Sequence, residues 1–381
     1  CPVPSRIGPD WRGAQDSKEL YFDGEEMSVS TDLRPAIRKL VARANLSDDE
    51  VRFVFDAILN GTASETSVSA FLVALAMKGE TAGEIRAVLQ TIRKHAIRIT
   101  PNVKEPLIDT CGTGGDSIRS FNISTAAAIV ASSAGVKIAK HGNRSVSGIC
   151  GSADFLEEVG FDLDTTPEKT RSCIENVGIG FLYAPKFHPA MKNVASSRKA
   201  IGIRTVFNIV GPLSNPCTNI SGQVIGVFEP ALMEIFSEAC QGHVKEAMIV
   251  HAADGFDELS NTCENDVLWT ANGQTKRLRL HPKVLGMPVA KPEQVVVSSR
   301  EESISTTLQT IYGKAAREKE DIVIMNASAA LVLGKVAKDF KEGVELARDS
   351  IRTGRAQDRL SQLIKYSGDE TKLKEAEKKF L

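Results

Sequence analysis

The 381-residue sequence lacks any apolar run approaching the ~18 residues that a membrane-spanning helix needs. It also lacks C-x-x-C pairs: its seven cysteines are scattered, so a disulfide framework and a zinc ribbon are both disfavoured. No charged start followed by an apolar stretch indicates a secretory signal. These absences favour a protein of the reducing cytoplasm with no membrane segment.

An excess of charge of either sign is missing too. The chain has 47 Lys and Arg against 48 Asp and Glu, which gives no electrostatic argument for binding nucleic acid or an anionic membrane surface. Any anion site must therefore be local. The chain is 42% hydrophobic and 25% charged, as in ordinary globular proteins, and its length suits one large domain or two unequal ones.

Residues 1–26 differ from the rest of the chain. They are rich in Pro, Gly and charge, show no periodicity and begin at Cys1 rather than at a methionine. We interpret them as a disordered tail and Met27 as the natural start.

Residues 27–100 are predicted to form a small all-helical domain, because no strand pattern interrupts them. Two capping boxes mark helix starts, Ser47 with Glu50 and Thr81 with Glu84. Helices near residues 188–205 are expected to join this domain. The four predicted helices cover residues 32–44, 47–61, 64–78 and 81–96.

Residues 101–381 are predicted to form a large, mainly parallel α/β domain. Short apolar runs, most of them bounded by Gly, Pro or polar turns, alternate there with helical stretches. Asn272-Gly273 predicts a hairpin turn, and residues 341–379 a charged helical surface layer. The predicted strands cover residues 107–108, 136–138, 179–183, 223–228, 247–251 and 322–325.

The most informative stretch is residues 109–116, D-T-C-G-T-G-G-D, directly after a predicted strand. Its glycines let the chain curl and bring backbone N–H groups towards an anion, and a predicted helix from Ile123 adds further N–H groups. Asn122, Ser124 and Thr125 lie at that helix start, where they can cap it or bind phosphate. The alternative is a tight strand-to-helix turn. The run is not a Walker loop, and Ser117 breaks G-x-G-x-x-G.

A second loop follows the strand at 136–139, with the sequence K-H-G-N-R-S-V-S-G at residues 140–148 and Gly151-Ser152 behind it. Lys140 is suited to neutralising a diphosphate, and the hydroxyls to holding further phosphate oxygens. In isolation this loop would be read as a solvated basic turn. Beside the first loop, the anion-binding interpretation is favoured.

Together these motifs resemble the anthranilate phosphoribosyltransferase family. The family order is D-x-x-G-T-G-G-D, N-x-S-T, K-H-G-N-R and G-S-A-D, continued here by residues 188–192, 198–199, 202–213 and 257–258. The match is collinear over roughly residues 32–358. It departs from the pattern at Ile149-Cys150, where the family carries small or hydroxylated residues, which leaves open how many hydroxyls contact the pyrophosphate.

The resemblance implies an enzyme of tryptophan biosynthesis. It would transfer the 5-phosphoribosyl group of phosphoribosyl pyrophosphate (PRPP) to the amine of anthranilate, releasing pyrophosphate with the help of Mg²⁺. It also implies a homodimer formed through the helical domain, and a hinge near Gly211-Pro212.

The resemblance implies site residues at matching positions. Those for PRPP are Gly112, Gly115, Asp116, Ser120, Asn122, Ile123, Ser124, Thr125, Lys140, Ser147, Gly148 and Ser152. Those for anthranilate are Gly112, Asn143 and Arg198, with His188 and Met191 lining its entry path. Ser124, Asp257 and Glu258 would hold Mg²⁺, and Lys140 and Arg198 would act in catalysis.

Residue chemistry is compatible with these roles and leaves alternatives. Asp257-Glu258 supplies the hard oxygens that Mg²⁺ prefers, but such a pair is also ordinary surface charge. Arg198 can bind a carboxylate through two hydrogen bonds, yet on a helix it can equally form an ordinary ion pair. Cys111 has no histidine or other base paired with it in sequence, so we interpret it as packing rather than as a nucleophile.

Two other functions remain as alternatives. A pyrimidine nucleoside phosphorylase-like enzyme would share the architecture, but carries K-H-S-T-G-G as its glycine loop. A non-catalytic PRPP-binding paralogue would be favoured if Asp257, Glu258 or Arg198 were missing, and all three are present. A dehydrogenase has only the glycines in its favour.

Overall fold

The structure, a computed structural model, describes residues 31–114, 118–145 and 149–381. A small all-helical domain at the start of these residues packs beside a larger domain built on one seven-stranded sheet. The predicted fold class is thus confirmed. The predicted tail, residues 1–26, and the Met27 start lie outside the described residues, and the domain limits 27–100 and 101–381 stay predictions.

The helical domain begins with α1 (Arg34–Val41), α2 (Asp48–Leu59), α3 (Glu65–Lys78) and α4 (Ala82–Lys94). Both predicted capping boxes are formed, at the starts of α2 and α4. Two later helices, α9 (Lys192–Ile201) and α10 (Val206–Leu213), pack against α2, α3 and α4. The apolar faces of these helices share one core with one side of the sheet.

Glu84 joins three parts of the helical domain. Its side chain is 1% exposed and lies 2.8 Å from the ammonium of Lys78, which is 4% exposed. The carboxylate also accepts hydrogen bonds from Leu46 N–H and from the N–H and hydroxyl of Thr81. Burial alone would raise the pKa of Glu84, but these partners outweigh burial and leave the pKa below its ordinary value. The α1–α2 loop, the end of α3 and the start of α4 meet at this carboxylate.

The sheet has the strand order β3-β2-β1-β4-β5-β6-β7, with β1 to β5 parallel and β6 and β7 antiparallel at one edge. At the β6–β7 turn, Asn272 and Gly273 have φ of 51° and 76°, as the predicted hairpin turn requires. The strands are β1 (Leu107–Gly112), β2 (Lys137–Gly142), β3 (Ile179–Tyr183), β4 (Gly222–Gly226), β5 (Glu246–Ala252), β6 (Asn265–Ala271) and β7 (Gln274–Leu280).

The remaining helices cover the sheet, with α5 and α13 buried against one face and the last three forming the predicted helical layer. They are α5 (Ile123–Ser133), α6 (Ser152–Glu158), α7 (Pro167–Val177), α8 (Ala184–Phe187), α11 (Leu232–Cys240), α12 (Arg300–Ile311), α13 (Arg317–Leu333), α14 (Phe340–Arg352), α15 (Arg355–Ser367) and α16 (Glu370–Phe380). Short 3₁₀ turns lie at Pro189–Met191, Pro282–Leu285 and Pro292–Gln294.

The strand predicted at residues 322–325 is wrong, because these residues lie inside α13. Every residue of α13 from Asp321 to Leu333 is buried. A helix enclosed on all sides has no polar face to reveal its 3.6-residue period, and four apolar residues in a row resemble a buried strand. Among the described residues, no helix is long and apolar enough to cross a membrane.

We expect Glu84→Gln to destabilise the protein by about 3 kcal/mol, because the Lys78 ammonium would stay buried without its counter-charge. Urea unfolding at pH 7 measures this loss. Since folding lowers the pKa of Glu84, its contribution is complete above the pKa of the unfolded carboxyl and disappears as the pH falls through the folded pKa.

Glu50→Gln is the matched control. Glu50 holds the same position in the α2 capping box, but its ion pair with Lys39 is partly exposed, at 33% and 51%. We expect that change to cost about 0.5 kcal/mol. Equal losses for the two variants would show that burial of the Lys78–Glu84 pair adds nothing.

Candidate functional site

The candidate site lies where the strand order reverses. Strand β2, which follows β1 in the chain, pairs with one edge of β1, and β4 pairs with the opposite edge. In open α/β sheets the crevice beyond the carboxyl ends of two such strands is the usual place for a ligand. Here Gly112 ends β1 directly opposite Gly226 at the end of β4. Both glycine-containing loops predicted from the sequence start from this edge.

Asp257 packs against the first loop at this crevice. Its Oδ2 accepts hydrogen bonds from Gly114 N–H at 2.6 Å and from the Thr113 hydroxyl at 3.2 Å. A Cβ atom at Gly112 would lie 2.7 Å from the same oxygen, and one at Gly226 would overlap the Asp257 carbonyl. Glycine is therefore required at both strand ends for Asp257 to approach the loop.

Strands β1 and β2 separate just before the site. Their backbone pairing stops at Ile108 and Ile138, although β1 stays paired with β4 as far as Gly112. Two side chains bridge the gap instead. Lys140 Nζ donates to Thr110 O at 2.6 Å, and the Asp109 carboxylate accepts from His141 N–H at 3.1 Å. Side chains thus replace backbone pairing where the two strands lead into the loops that carry the candidate anion ligands.

The bridging charges are buried, since Lys140 is 3% exposed and Asp109 is fully enclosed. Burial lowers the pKa of Lys140 and raises the pKa of Asp109, and in each case the charge of the other opposes that shift. Burial, followed by the charge of Asp109, raises the pKa of the Cys111 thiol well above its usual range. Cys111 packs with its sulfur 3.4 Å from Pro212 O, consistent with the packing role inferred from the sequence.

The start of α5 brings further predicted residues to the same edge. Ser124 Oγ lies 3.2 Å from Lys140 Nζ, and the buried Thr125 hydroxyl has no hydrogen-bond partner among the described residues. Asn122 occupies the N-cap position without capping, because its amide donates to Ser303 Oγ and Cys150 Sγ. Ile123 N–H bonds to Phe121 O, and Ser120 pairs with Val296 in an isolated bridge.

The second loop is fixed from α6. The Asp154 carboxylate accepts from Ser145 N–H and Gly151 N–H, and Arg144 pairs with Asp154 and Glu157. Arg144 thus stabilises the conformation of the loop by attaching it to α6. Ser152 Oγ donates to Asn143 O at 3.2 Å, while the Asn143 side chain is exposed. Four of the predicted site residues, Gly115, Asp116, Ser147 and Gly148, lie outside the described residues.

Arg198 lies on α9 in the helical domain, with its guanidinium carbon 5.2 Å from the centre of the Phe207 ring on α10. Burial lowers its pKa. Within residues 31–114, 118–145 and 149–381, no carboxylate pairs with it. The ordinary ion pair considered from the sequence is therefore not formed in this part of the chain.

His188 and Met191 lie between β3 and α9. Met191 is half-buried, whereas His188 is 5% exposed and its ring packs edge-on against His141, with 5.2 Å between centroids. Burial lowers the pKa of His188 to about 4, so this imidazole is neutral at pH 7.

The donor chemistry at the crevice fits Mg²⁺. Ser124, Asp257 and Glu258 offer hydroxyl and carboxylate oxygens, and Mg²⁺ is commonly bound by one or two carboxylates together with substrate phosphates. Among the described residues, no cluster of three or more His, Cys, Asp or Glu could hold a metal alone. A site completed by phosphate oxygens is consistent with both observations.

Sequence reasoning gave no role to Asp109, His141 or Gln223, all buried beneath the crevice. Gln223 Nε2 donates to Asp109 Oδ2 at 3.1 Å. The sequence did offer one signal for Asp109: it is an acid inside an apolar strand, and a buried carboxylate requires hydrogen-bond partners. The identity of those partners depends on strand order.

Comparison with known proteins agrees with this architecture. Residues 34–96 match the model of the glycosyl transferase family, helical bundle domain, and residues 104–357 match that of the a/b domain. The anthranilate phosphoribosyltransferases of Acetivibrio thermocellus and Thermoanaerobacter sp. (strain X514) are 43% and 44% identical to this chain, covering 88% of it and 96% and 98% of their own lengths.

Solved structures give the same result. The anthranilate phosphoribosyltransferase of Thermus thermophilus has a TM-score of 0.81 at 36% identity, covering 87% of this chain and 98% of that one. The Saccharomyces cerevisiae enzyme in complex with PRPP and Mg has a TM-score of 0.80 at 28% identity, covering 88% and 97%. Similarity at this level over both domains shows that the chain belongs to the anthranilate phosphoribosyltransferase family.

Proposed function

We propose that this protein transfers the 5-phosphoribosyl group of PRPP to the amine of anthranilate and releases pyrophosphate, a step of tryptophan biosynthesis. The observation that supports this most directly is the arrangement at the crevice. A glycine loop, a buried lysine and an acidic pair meet where two parallel strands end, and this combination suits a diphosphate bound together with a divalent cation.

On the donor side, the ribose and phosphates of PRPP lie along the two loops and the start of α5. Lys140 of β2 and Ser124 of α5 lie within 3.2 Å of each other at this edge of the sheet. The Thr125 hydroxyl, which is buried without a partner among the described residues, would gain one from a phosphate oxygen. The other residues assigned to PRPP are Gly112, Gly115, Asp116, Ser120, Asn122, Ile123, Ser147, Gly148 and Ser152.

On the acceptor side, Arg198 binds the carboxylate of anthranilate. Its guanidinium is held over Phe207 and is not neutralised by an acid of the described chain, so it can donate two parallel hydrogen bonds. Asn143 and Gly112 contact the ring or amine from the sheet side, with Met191 and His188 nearer the entry path.

In the reaction, the amine nitrogen attacks the anomeric carbon of the ribose as the bond from that carbon to the pyrophosphate oxygen breaks. The amine is neutral at pH 7 and loses its proton to solvent after the new bond forms, so no strong general base is needed. Positive charge develops on the ribose and negative charge on the leaving group. Lys140 and the loop N–H groups are placed in advance to stabilise the latter.

Ser124, Asp257 and Glu258 would hold Mg²⁺ beside the pyrophosphate. When bound, the ion supplies positive charge to the leaving group. The chain itself contributes the orientation of both substrates, which can account for much of a rate enhancement between two bound molecules.

The protein acts as a cytoplasmic homodimer in this proposal. The helical domain carries large apolar side chains at its surface: Val41, Phe53 and Met77 are 72%, 56% and 66% exposed. Such residues on α1, α2 and α3 suit burial against a second copy.

The decisive experiment follows anthranilate fluorescence after addition of PRPP, Mg²⁺ and purified protein. We expect a decrease that requires all three and matches the pyrophosphate released. Turnover of a pyrimidine nucleoside with phosphate would instead support the phosphorylase alternative. PRPP binding without turnover would favour a non-catalytic paralogue. Absence of PRPP binding would contradict both the transferase and the paralogue.

Arg198→Ala should raise the KM for anthranilate roughly 30-fold, because a charge-assisted contact worth about 2 kcal/mol is lost. The KM for PRPP should hardly change. Lys199→Ala, at the next and exposed position of α9, is the control and should behave as wild type. A larger effect of Arg198→Ala on PRPP than on anthranilate would mean that Arg198 is misassigned.

Asp257→Asn combined with Glu258→Gln should raise the Mg²⁺ concentration for half-maximal activity by about tenfold or more, since two hard anionic ligands are lost. Initial rates over a Mg²⁺ titration measure this. Glu264→Gln removes an acid that pairs with Arg279 instead, and should leave the titration unchanged. Wild-type Mg²⁺ dependence in the double variant would remove both acids from the metal site.

A further inference from the structure

Asp109 is a buried carboxylate that has been assigned to neither substrate. It lies on β1 beneath the crevice and bonds to both neighbouring strands: to His141 N–H on β2 and to the Gln223 side chain on β4, each at 3.1 Å. Enclosing an anion away from water is unfavourable unless hydrogen bonds satisfy its oxygens. Because the two bonds leave in opposite directions, Asp109 fixes β2 and β4 relative to each other at the level of the site.

The bond to His141 replaces a backbone bond that β1 and β2 do not make. Their pairing ends one residue earlier, at Ile108 and Ile138. Beyond that point side chains link the two strands: Asp109 accepts from His141 N–H, and Lys140 donates to Thr110 O. Asn215, which follows α10, adds to this link, because it hydrogen-bonds to Asp109 and its amide donates to Ala139 O at 2.8 Å. The direction in which Lys140 and its loop leave the sheet therefore depends on Asp109.

The bond to Gln223 extends to α10. Besides Asp109, the Gln223 amide donates to Pro212 O at 3.2 Å. The last carbonyls of a helix have no partner within it. In α10, the carbonyls of Pro212 and Leu213 have partners from the α/β domain. Cys111 Sγ also approaches Pro212 O, and His243 Nε2 lies 3.1 Å from Leu213 O. The carboxyl end of α10 is thus attached to the sheet through Gln223, which also bonds to Asp109.

The other end of α10 supports Arg198. Phe207, under the Arg198 guanidinium, and Pro212 lie five residues apart, about 7.5 Å along the helix. Phe207 also packs against Phe55 of α2 in the helical domain, with 5.8 Å between ring centroids. A continuous series of contacts therefore runs from Lys140 through Asp109, Gln223 and α10 to Arg198.

We propose that Asp109 is a positioning residue for the transfer reaction, which through Gln223 and α10 sets Arg198 at a fixed place relative to the Lys140 loop. This inference rests on the proposed function, since it assigns the Lys140 loop to PRPP and Arg198 to anthranilate. It gives Asp109 and Gln223 an effect on the rate although neither touches a substrate. An error of about 1 Å between two reacting groups can cost roughly 100-fold in rate.

Gln223→Met tests the arm to α10, because methionine matches the length of glutamine and removes both N–H donors. We expect kcat/KM for anthranilate to fall by about tenfold or more, with the KM for PRPP within about twofold of wild type. Asp109→Asn keeps the shape but places an amide N–H against either His141 N–H or the Gln223 amide. It should lower kcat and also raise the KM for PRPP.

The double variant Asp109→Asn with Gln223→Met should be no slower than the slower single variant, since both changes break the same connection. Asp321→Asn is the matched control: Asp321 is another buried carboxylate, 1% exposed, but it pairs with Arg348 of α14 and Arg317 of α13, away from the crevice residues. It should lower the melting temperature and leave the kinetic constants unchanged.

The positioning role is overturned if Gln223→Met and Asp109→Asn only lower the melting temperature, as Asp321→Asn does, and keep wild-type kinetic constants. Amide hydrogen exchange of residues 206–213 gives a readout independent of turnover, and Gln223→Met should accelerate it without changing exchange in α5. If wild type does not consume anthranilate, the proposed function fails. Unchanged exchange in α10 would then contradict the connection itself.

Discussion

The separation of β1 from β2 beyond Ile108 and Ile138 is the constraint on which the candidate site depends. Beyond that point the backbone groups of β1 and β2 no longer pair with each other, although β1 stays paired with β4 as far as Gly112. Separated strands expose backbone groups, and a buried backbone group without a partner is costly. Lys140 and Asp109 offset that cost by bonding to Thr110 O and His141 N–H. These two side chains therefore replace the missing backbone pairing, and each charge offsets the burial of the other.

A similar arrangement connects the two domains. α10 belongs by packing to the helical domain, yet its carboxyl end accepts hydrogen bonds from Gln223 and His243 of the α/β domain. Gly211 and Pro212 within its last turn match the region where the sequence predicted a hinge, and that role stays a prediction. The helix is held at one end by the sheet and at the other by the Phe55–Phe207 contact, so it connects the two domains. Arg198 depends on this geometry because its supporting ring is Phe207.

Several interpretations of single residues were decided by neighbours distant in sequence. Asn122 was expected to cap α5 or to bind phosphate, and it does not cap α5, because its amide donates to Ser303, 181 residues away. Arg144 adds charge to the second loop by residue type, but Asp154 and Glu157 neutralise it. Arg198 had an ion pair as its alternative, and no acid of the described chain lies beside it. In each case residue type permitted more than one role, and the partners that the fold brings near limited the choice.

The sequence by itself determined the four N-terminal helices, the five parallel strands, the two capping boxes, the hairpin at Asn272-Gly273 and the motifs that identify the family. These follow from local physics: periodicity, N-cap chemistry and the left-handed preference of Asn-Gly depend on residues a few positions apart. It failed at residues 322–325, because a helix buried on every side leaves no periodic signal. Only the tertiary structure decided which strands are neighbours, that β1 and β2 separate, and that Asp109 lies between His141 and Gln223. Those contacts join residues 32 and 114 positions apart, and no local pattern specifies which distant strand a buried carboxylate will meet.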